Sequence, residues 1–158
     1  TLPIGGMGDL DFSLVGTALM TADTQPTPAS PVVECKGVWE NGDCVGALPA
    51  WAHNVRATWA TPWDVDMSLF WRYTGAVDDA AREGTSGASN GDAYNWVDLA
   101  ATWQVTDNTQ LRFGISNIMD EDPPLSSAVG TYPGNGNTFP GFYDPMGRYI
   151  FMGVSLEL

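Results

Sequence analysis

Apolar and polar residues alternate with a period of two along most of this chain, and this pattern limits the possible folds more than any other feature. In the segment 97–105, for example, Leu99 and Trp103 share one parity, while Asp98 and Thr102 share the other. Successive side chains of a β-strand point to opposite faces, so the alternation indicates strands with one apolar and one polar face. A helix would need apolar residues three and four apart, which these segments lack. We predict an all-β chain with antiparallel strands near residues 9–21, 51–61, 65–77, 94–105, 109–118 and 148–158, and a short strand at 1–3.

The connections between the predicted strands alternate between short and long. Tight turns fall at Pro62-Trp63-Asp64 and at Thr106-Asp107-Asn108. The other connections are long and rich in Gly, Pro, Asn, Asp and Ser: they cover roughly residues 22–50, 78–93 and 120–146. Consecutive hairpins emerge at opposite ends of a sheet, so all the long loops should lie at one end. Outer-membrane β-barrels have this layout, with short periplasmic turns and long extracellular loops.

Strand length and aromatic residues agree with a membrane barrel. The predicted long strands are long enough to cross a bilayer, for which a tilted strand needs roughly 9–11 residues. Tryptophans cluster near the strand ends, where a half-hydrated ring is stable at a membrane interface. Parity places four of them toward lipid, namely Trp51, Trp59, Trp71 and Trp103, and places Trp96 and Tyr149 toward the lumen. Because an open sheet edge cannot face lipid, we expect further strands before residue 1.

Charge and composition argue against several classes of function. The net charge is −13 with only 6 Lys and Arg residues, which disfavours nucleic acid as a partner. The single histidine, His53, lacks an acid and a nucleophile nearby in the pattern, so we expect no enzyme activity. The glycine-rich segments 84–87 and 134–137 lack the lysine of a phosphate-binding loop, and no cofactor is expected. The acidic segments at 78–83 and 120–122 could offer oxygen ligands to Ca²⁺, but they lack the ligand spacing of a known calcium loop. Solvated acidic side chains are the preferred interpretation, and we assign no metal site.

Candidate site residues lie in the long loops. The spacing of Cys35 and Cys44 is compatible with a small disulfide loop in an oxidising compartment; two free thiols or a metal pair are the alternatives. Aromatic loop residues could stack on a sugar or on a siderophore ring, or could instead anchor the loops. The candidate ligand contacts are Trp39, Tyr132, Phe139 and Phe142.

Basic residues are concentrated on the predicted lumen face. Arg56, Arg72 and Arg112 share lumen-facing parity, and Arg148 lies at a strand mouth. We predict that they form ladders of ion pairs with the carboxylates on the same wall, which are Asp66, Asp98 and Glu157. Recruitment of an anionic ligand is the alternative interpretation.

Several segments resemble the late strands of TonB-dependent outer-membrane receptors. The resemblance is carried by residues 53–64, 71–75, 98–103 and 117–124, and most strongly by the ending Tyr143-Asp144-Pro145-Met146-Gly147-Arg148-Tyr149-Ile150-Phe151-Met152-Gly153-Val154. The Cys35 and Cys44 pair also resembles an extracellular-loop cysteine pair of one subgroup of that family.

The resemblance implies that residues 1–158 form the C-terminal portion of the barrel of such a receptor in the bacterial outer membrane. Barrels of this family have 22 strands and a lumen plugged by an N-terminal domain. The implied function is energy-coupled uptake of a scarce nutrient such as a siderophore, cobalamin or an oligosaccharide. The implied partners are outer-membrane lipid, the plug and earlier strands, the TonB energy-coupling system and the barrel assembly machinery. A secreted or surface β-sandwich binding module is the alternative.

Overall fold

In a computed structural model of the protein, nine strands account for most of the described residues, which are 1–38, 43–44, 46–78, 91–125, 138 and 143–157. The strands are β1 (Leu2–Pro3), β2 (Asp9–Ala18), β3 (Asp23–Thr24), β4 (Val33–Glu34), β5 (Trp51–Ala60), β6 (Val65–Thr74), β7 (Tyr94–Thr106), β8 (Thr109–Ser116) and β9 (Tyr149–Leu156). Within the described residues the helical content is a single 3-10 turn, Gly5–Met7. No helix there has the length and apolar character needed to cross a membrane.

Seven of the strands form one antiparallel sheet in the order β1-β2-β5-β6-β7-β8-β9. Each strand therefore pairs with the next long strand along the chain, as the short turns and loops predict. The sheet is open, because its outermost strands β1 and β9 do not pair with each other. The predicted all-β antiparallel architecture is confirmed, including the short first strand.

Two strands end earlier than the alternation predicts. β2 ends at Ala18 and β6 ends at Thr74, each three residues short of the predicted limit. At the second of these ends, the N–H of Gly75 still donates to the carbonyl oxygen of Trp51 at 2.9 Å, and a Cβ on Gly75 would lie 2.8 Å from that oxygen. The chain leaves the sheet there, and Val77 pairs instead with Gly91 in an isolated bridge.

The register places the alternating residues on two distinct faces. Leu99 lies opposite Leu69 on one side and Ile115 on the other, so the apolar side chains of three strands are adjacent. On the other face, Thr102 lies between Asp66 and Arg112. We call these the apolar face and the polar face. The predicted parity of the strands is confirmed, because a shift of one residue would have exchanged the two faces.

The long loops contribute the small buried core of the described residues. Its members come from all three loops and from the start of β7: they are Ala47, Val77, Tyr94, Trp96 and Tyr143. Among the described residues, large exposed hydrophobic side chains outnumber buried ones. A soluble domain buries its apolar face against a second layer, which the described part of this chain lacks.

Candidate functional site: the two faces of the sheet

The apolar face is continuous and uncovered. Met152 is 72% exposed and Phe113 is 40% exposed, although both lie in the middle of their strands. Ala57 and Ala101 leave a shallow apolar depression of about 370 Å³, flanked by larger side chains such as Trp59, Leu69 and Phe113. An exposed apolar patch of this extent marks a surface that contacts another protein or lipid.

A cluster of aromatic rings lies on this face at the loop end of β5 and β6. His53 stacks on Tyr73 at 5.1 Å between ring centroids and meets Trp71 edge-on at 4.5 Å. The indole of Trp51 donates a hydrogen bond from Nε1 to Nδ1 of His53, at 2.8 Å. Trp71 donates from its Nε1 to Oδ1 of Asn95. The rings thus combine apolar surface with satisfied polar atoms, as residues at a water–lipid boundary do.

A second aromatic cluster lies at the turn end. Trp59 and Trp63 approach to 6.3 Å between centroids with perpendicular planes. Trp59 donates from Nε1 to the carbonyl oxygen of Met7, which ties β5 to the turn before β2. Trp103 is 43% exposed on the same face. The apolar face is therefore bordered by aromatic residues at both ends, as predicted from the sequence.

Cationic and aromatic side chains interleave on the polar face. The guanidinium of Arg56 lies 4.6 Å from the ring centroid of Phe70, and that of Arg72 lies 4.8 Å from the ring of Trp96. Contacts of this kind stabilise a cation without a carboxylate. No role was predicted for Phe70, although it shares its parity in β6 with Arg72 and is thereby placed on the same face.

Asp98 accepts more hydrogen bonds than any other described carboxylate of the polar face. Its Oδ1 accepts hydrogen bonds from Nε1 of Trp96 at 2.5 Å, from the hydroxyl of Ser116 at 2.7 Å and from the backbone N–H of Asn117 at 2.9 Å. Its Oδ2 lies 3.6 Å from Nη2 of Arg72. These contacts join β6 and β7 to the end of β8 and fix the start of the third long loop.

The predicted ladder of ion pairs forms only at one position. Arg72 pairs with Asp98, and also with Asp144 of the third loop at 3.9 Å. Within the described part of the chain, Arg56 and Arg112 form no ion pair, and neither do Asp66 and Glu157. The register explains why these ion pairs are missing, because no carboxylate lies opposite either arginine. The cross-strand neighbours of Arg56 are Ser13 and Phe70. Those of Arg112 are Thr102 and Gly153.

Arg148 pairs with Asp120 and not with one of the carboxylates predicted for the polar face. Its Nη2 lies 3.3 Å from Oδ2 of Asp120, and its backbone N–H donates to Oδ1 of the same residue at 2.9 Å. Both ends of the third long loop are thereby tied together. Asp120 belongs to the acidic segment 120–122, and both oxygens of its carboxylate contact Arg148. Among the described residues, no group of three or more His, Cys, Asp or Glu side chains could hold a metal ion.

Tyr94 and Tyr143 attach the third loop to the sheet. Tyr94 donates a hydrogen bond from Oη to the carbonyl oxygen of Asp144 at 3.3 Å, and its ring meets that of Tyr143 edge-on at 5.5 Å. Burial raises the pKa of the Tyr143 phenol to about 12, so this side chain stays neutral in the physiological range. The loop therefore rests on the polar face through neutral rings and through the Arg72–Asp144 pair.

The first long loop contains the expected disulfide, between Cys35 and Cys44. Both side chains are buried, with 2% and 1% of their surface exposed. Next to the disulfide, the backbone N–H of Asp78 donates to the carbonyl oxygen of Gly37 at 2.8 Å, so the first loop pairs with the second. The hairpin β3–β4, which the sequence did not predict, completes this loop.

Reduction of the disulfide should loosen both loops. Closure of so short a loop contributes about 2–3 kcal/mol on the chain-entropy model, and the Gly37–Asp78 hydrogen bond transmits the constraint to the second loop. We expect a reductant to increase proteolytic cleavage in both loops, as measured by mass spectrometry of limited digests. The double variant Cys35→Ser/Cys44→Ser is the control, because its digestion should not respond to reductant. Two free thiols in the untreated native protein would contradict this prediction.

The four aromatic residues predicted as ligand contacts in the loops lie outside the described residues: Trp39, Tyr132, Phe139 and Phe142. Their role in ligand contact stays a prediction.

Comparison with known proteins gives one partial match. A segment of 63 residues, 40% of this chain, is 40% identical to the vitamin B12 transporter BtuB of Photobacterium profundum. The match covers only 9% of the length of that transporter. No protein-family model matches the chain, and no solved structure matches it.

Proposed function

We propose that this chain forms part of the wall of a transport barrel in the bacterial outer membrane. The observation that carries the proposal is the uncovered apolar face, bordered by aromatic rings at both ends and backed by a polar face. A sheet with lipid on one side and an aqueous lumen on the other requires this division. The role is transport and not catalysis.

The open edges of the sheet support membership of a larger barrel. The outermost strands β1 and β9 do not pair with each other, and lipid cannot hydrate unpaired backbone groups. Additional strands, here proposed to complete a 22-stranded barrel of the plugged type, would pair with both edges. On this view residues 1–158 are the C-terminal portion of the barrel, with the short turns in the periplasm and the long loops outside the cell.

Within the transporters, we favour a receptor coupled to the TonB system. The partial match to a vitamin B12 transporter supports a distant relation to TonB-dependent receptors. The proposed role is energy-coupled uptake of a scarce nutrient of the siderophore, cobalamin or oligosaccharide class. The proposed partners are outer-membrane lipid, a plug domain, the TonB system acting through that domain, and the barrel assembly machinery at the last strand.

An isolated chain of residues 1–158 tests the proposal against a soluble binding module. Without neighbouring strands, its two edges and its apolar face should drive association in water. We expect size-exclusion chromatography in detergent-free buffer to give aggregates, and a denaturant melt to show no cooperative transition. A sharp monomer peak with a cooperative melt would contradict the barrel and favour a β-sandwich module.

A further inference from the structure

A cavity of about 290 Å³ opens on the polar face at the loop end of the sheet, between β2, β5, β6 and β7. Polar residues of its lining come from three strands and from the third loop: Thr17, Asn54, Arg72, Thr74 and Asp144. A concave site with a few convergent polar groups is the usual form of a small-molecule site. None of these residues belongs to the loop positions that the sequence proposed as ligand contacts.

The polar groups of this cavity have unused hydrogen-bonding capacity. In the part of the chain that the structure describes, the side chains of Thr17, Asn54 and Thr74 form no hydrogen bond. Nη2 of Arg72 lies 3.6 Å and 3.9 Å from its two carboxylate partners, beyond the usual hydrogen-bond distance. The cavity thus presents both donors and acceptors that the protein itself does not use.

The charges around the cavity determine which ligands are compatible with it. One guanidinium, that of Arg72, faces the carboxylates of Asp98 and Asp144, so this cluster carries a net negative charge. An anion would be repelled by the two carboxylates, in a chain whose net charge is already −13. A cation would have to compete with Arg72 for the same two carboxylates. An uncharged ligand meets neither penalty. It can accept from Arg72 and donate to Asp144 at the same time.

We propose that this cavity is a ligand subsite for an uncharged group with adjacent hydrogen-bond acceptor and donor atoms, as in a primary carboxamide or a vicinal diol. Arg72 and Asp144 bind the acceptor and the donor, and Asn54 with the two threonines binds the flank of the ligand. The inference rests on the proposed function, because it assumes that this end of the polar face is open to ligand from outside the cell. The transported molecule would then carry such an uncharged group.

The test uses the full-length receptor, inserted in lipid vesicles, with three probes. Cyanocobalamin supplies carboxamides, maltotriose supplies vicinal diols, and ferric citrate supplies an anion. We expect one of the two uncharged probes to bind. Asn54→Ala and Thr17→Ala should each weaken that binding about fivefold, as loss of a typical hydrogen bond does. Thr58→Ala is the matched control, because Thr58 shares the polar face with Asn54 but lies outside the cavity.

Binding of an uncharged probe that weakens in the Asn54 and Thr17 variants, but not in the Thr58 variant, supports the subsite. If the inserted protein binds only ferric citrate, binds none of the probes, or binds an uncharged probe equally in all variants, the subsite is overturned. Failure of the wild-type protein to insert into vesicles would instead overturn the proposed function, together with the subsite that rests on it.

Discussion

Leu99→Arg should destabilise the membrane-inserted protein by about 2–4 kcal/mol, whereas Thr102→Arg should be tolerated far better. The two positions lie three residues apart on β7 and on opposite faces of the sheet. Leu99 lies between Leu69 and Ile115 in the middle of the apolar face, where an arginine would have to enter lipid. Thr102 lies between Asp66 and Arg112 on the polar face. There, water and the carboxylate of Asp66 would accommodate the new charge and offset its repulsion by Arg112.

This pair of variants is measured by folding of the complete protein into lipid vesicles, followed by urea titration. The comparison is internally controlled, since both changes introduce the same side chain on the same strand. Equal loss of stability in both variants would show that the apolar face does not contact lipid.

Gly8→Ala should destabilise the sheet by about 3 kcal/mol or more, since the backbone conformation alone costs an alanine roughly 1–3 kcal/mol. Gly8 has a φ of 95° and a ψ of −151°, a combination that is essentially restricted to glycine. In addition, a Cβ at this position would overlap the carbonyl oxygen of Ala60. The turn before β2 approaches the end of β5 there, so the clash cannot be relieved without displacing a strand.

Gly6→Ala is the matched control for this change. Gly6 lies in the same turn, but a Cβ there would meet no atom within 4 Å. We expect its urea midpoint to match that of the wild-type protein, while the Gly8 variant shifts to lower urea. A Gly8 variant as stable as the Gly6 variant would mean that the turn does not adopt this conformation.

The strands could be predicted from the sequence because a buried or lipid-facing surface imposes a strict period of two. Leu99 was assigned to the apolar set from parity alone, and the register places it between two further apolar residues, Leu69 and Ile115. The positions of the short turns could be predicted from the same kind of local rule. Asp64, in the short turn after β5, adopts a φ of 58°, which aspartate tolerates better than most residues. Local rules of this kind need no knowledge of distant contacts.

The contacts of the polar face could not be predicted in the same way. Whether an arginine meets a carboxylate depends on the cross-strand neighbour, and a face assignment alone does not supply the register. Arg72 does meet Asp98, but the neighbour of Arg56 on β6 is Phe70, so a cation–π contact replaces the expected ion pair. The hydrogen bond from Gly75 to the carbonyl oxygen of Trp51, just past the end of β6, depends likewise on a residue of another strand.

The contact between the first and second long loops could not be predicted from the sequence either. The cysteine spacing indicated a disulfide, but nothing in the pattern indicated that Gly37 would accept a hydrogen bond from Asp78 in the next loop. The core that joins the three loops, with Trp96 and Tyr143 fully buried, likewise depends on residues brought together by the sheet.

Single spin labels along β6, in the complete protein in lipid vesicles, test most directly whether the apolar face contacts lipid. Cysteines are introduced one at a time at residues 66–69, with Cys35 and Cys44 kept oxidised, and accessibility to oxygen and to a water-soluble nickel chelate is measured. Labels at Met67 and Leu69 should be accessible to oxygen, which partitions into lipid, whereas labels at Asp66 and Ser68 should not. Accessibility that does not alternate along the strand, or that favours the water-soluble reagent at Met67 and Leu69, would contradict a lipid-facing sheet.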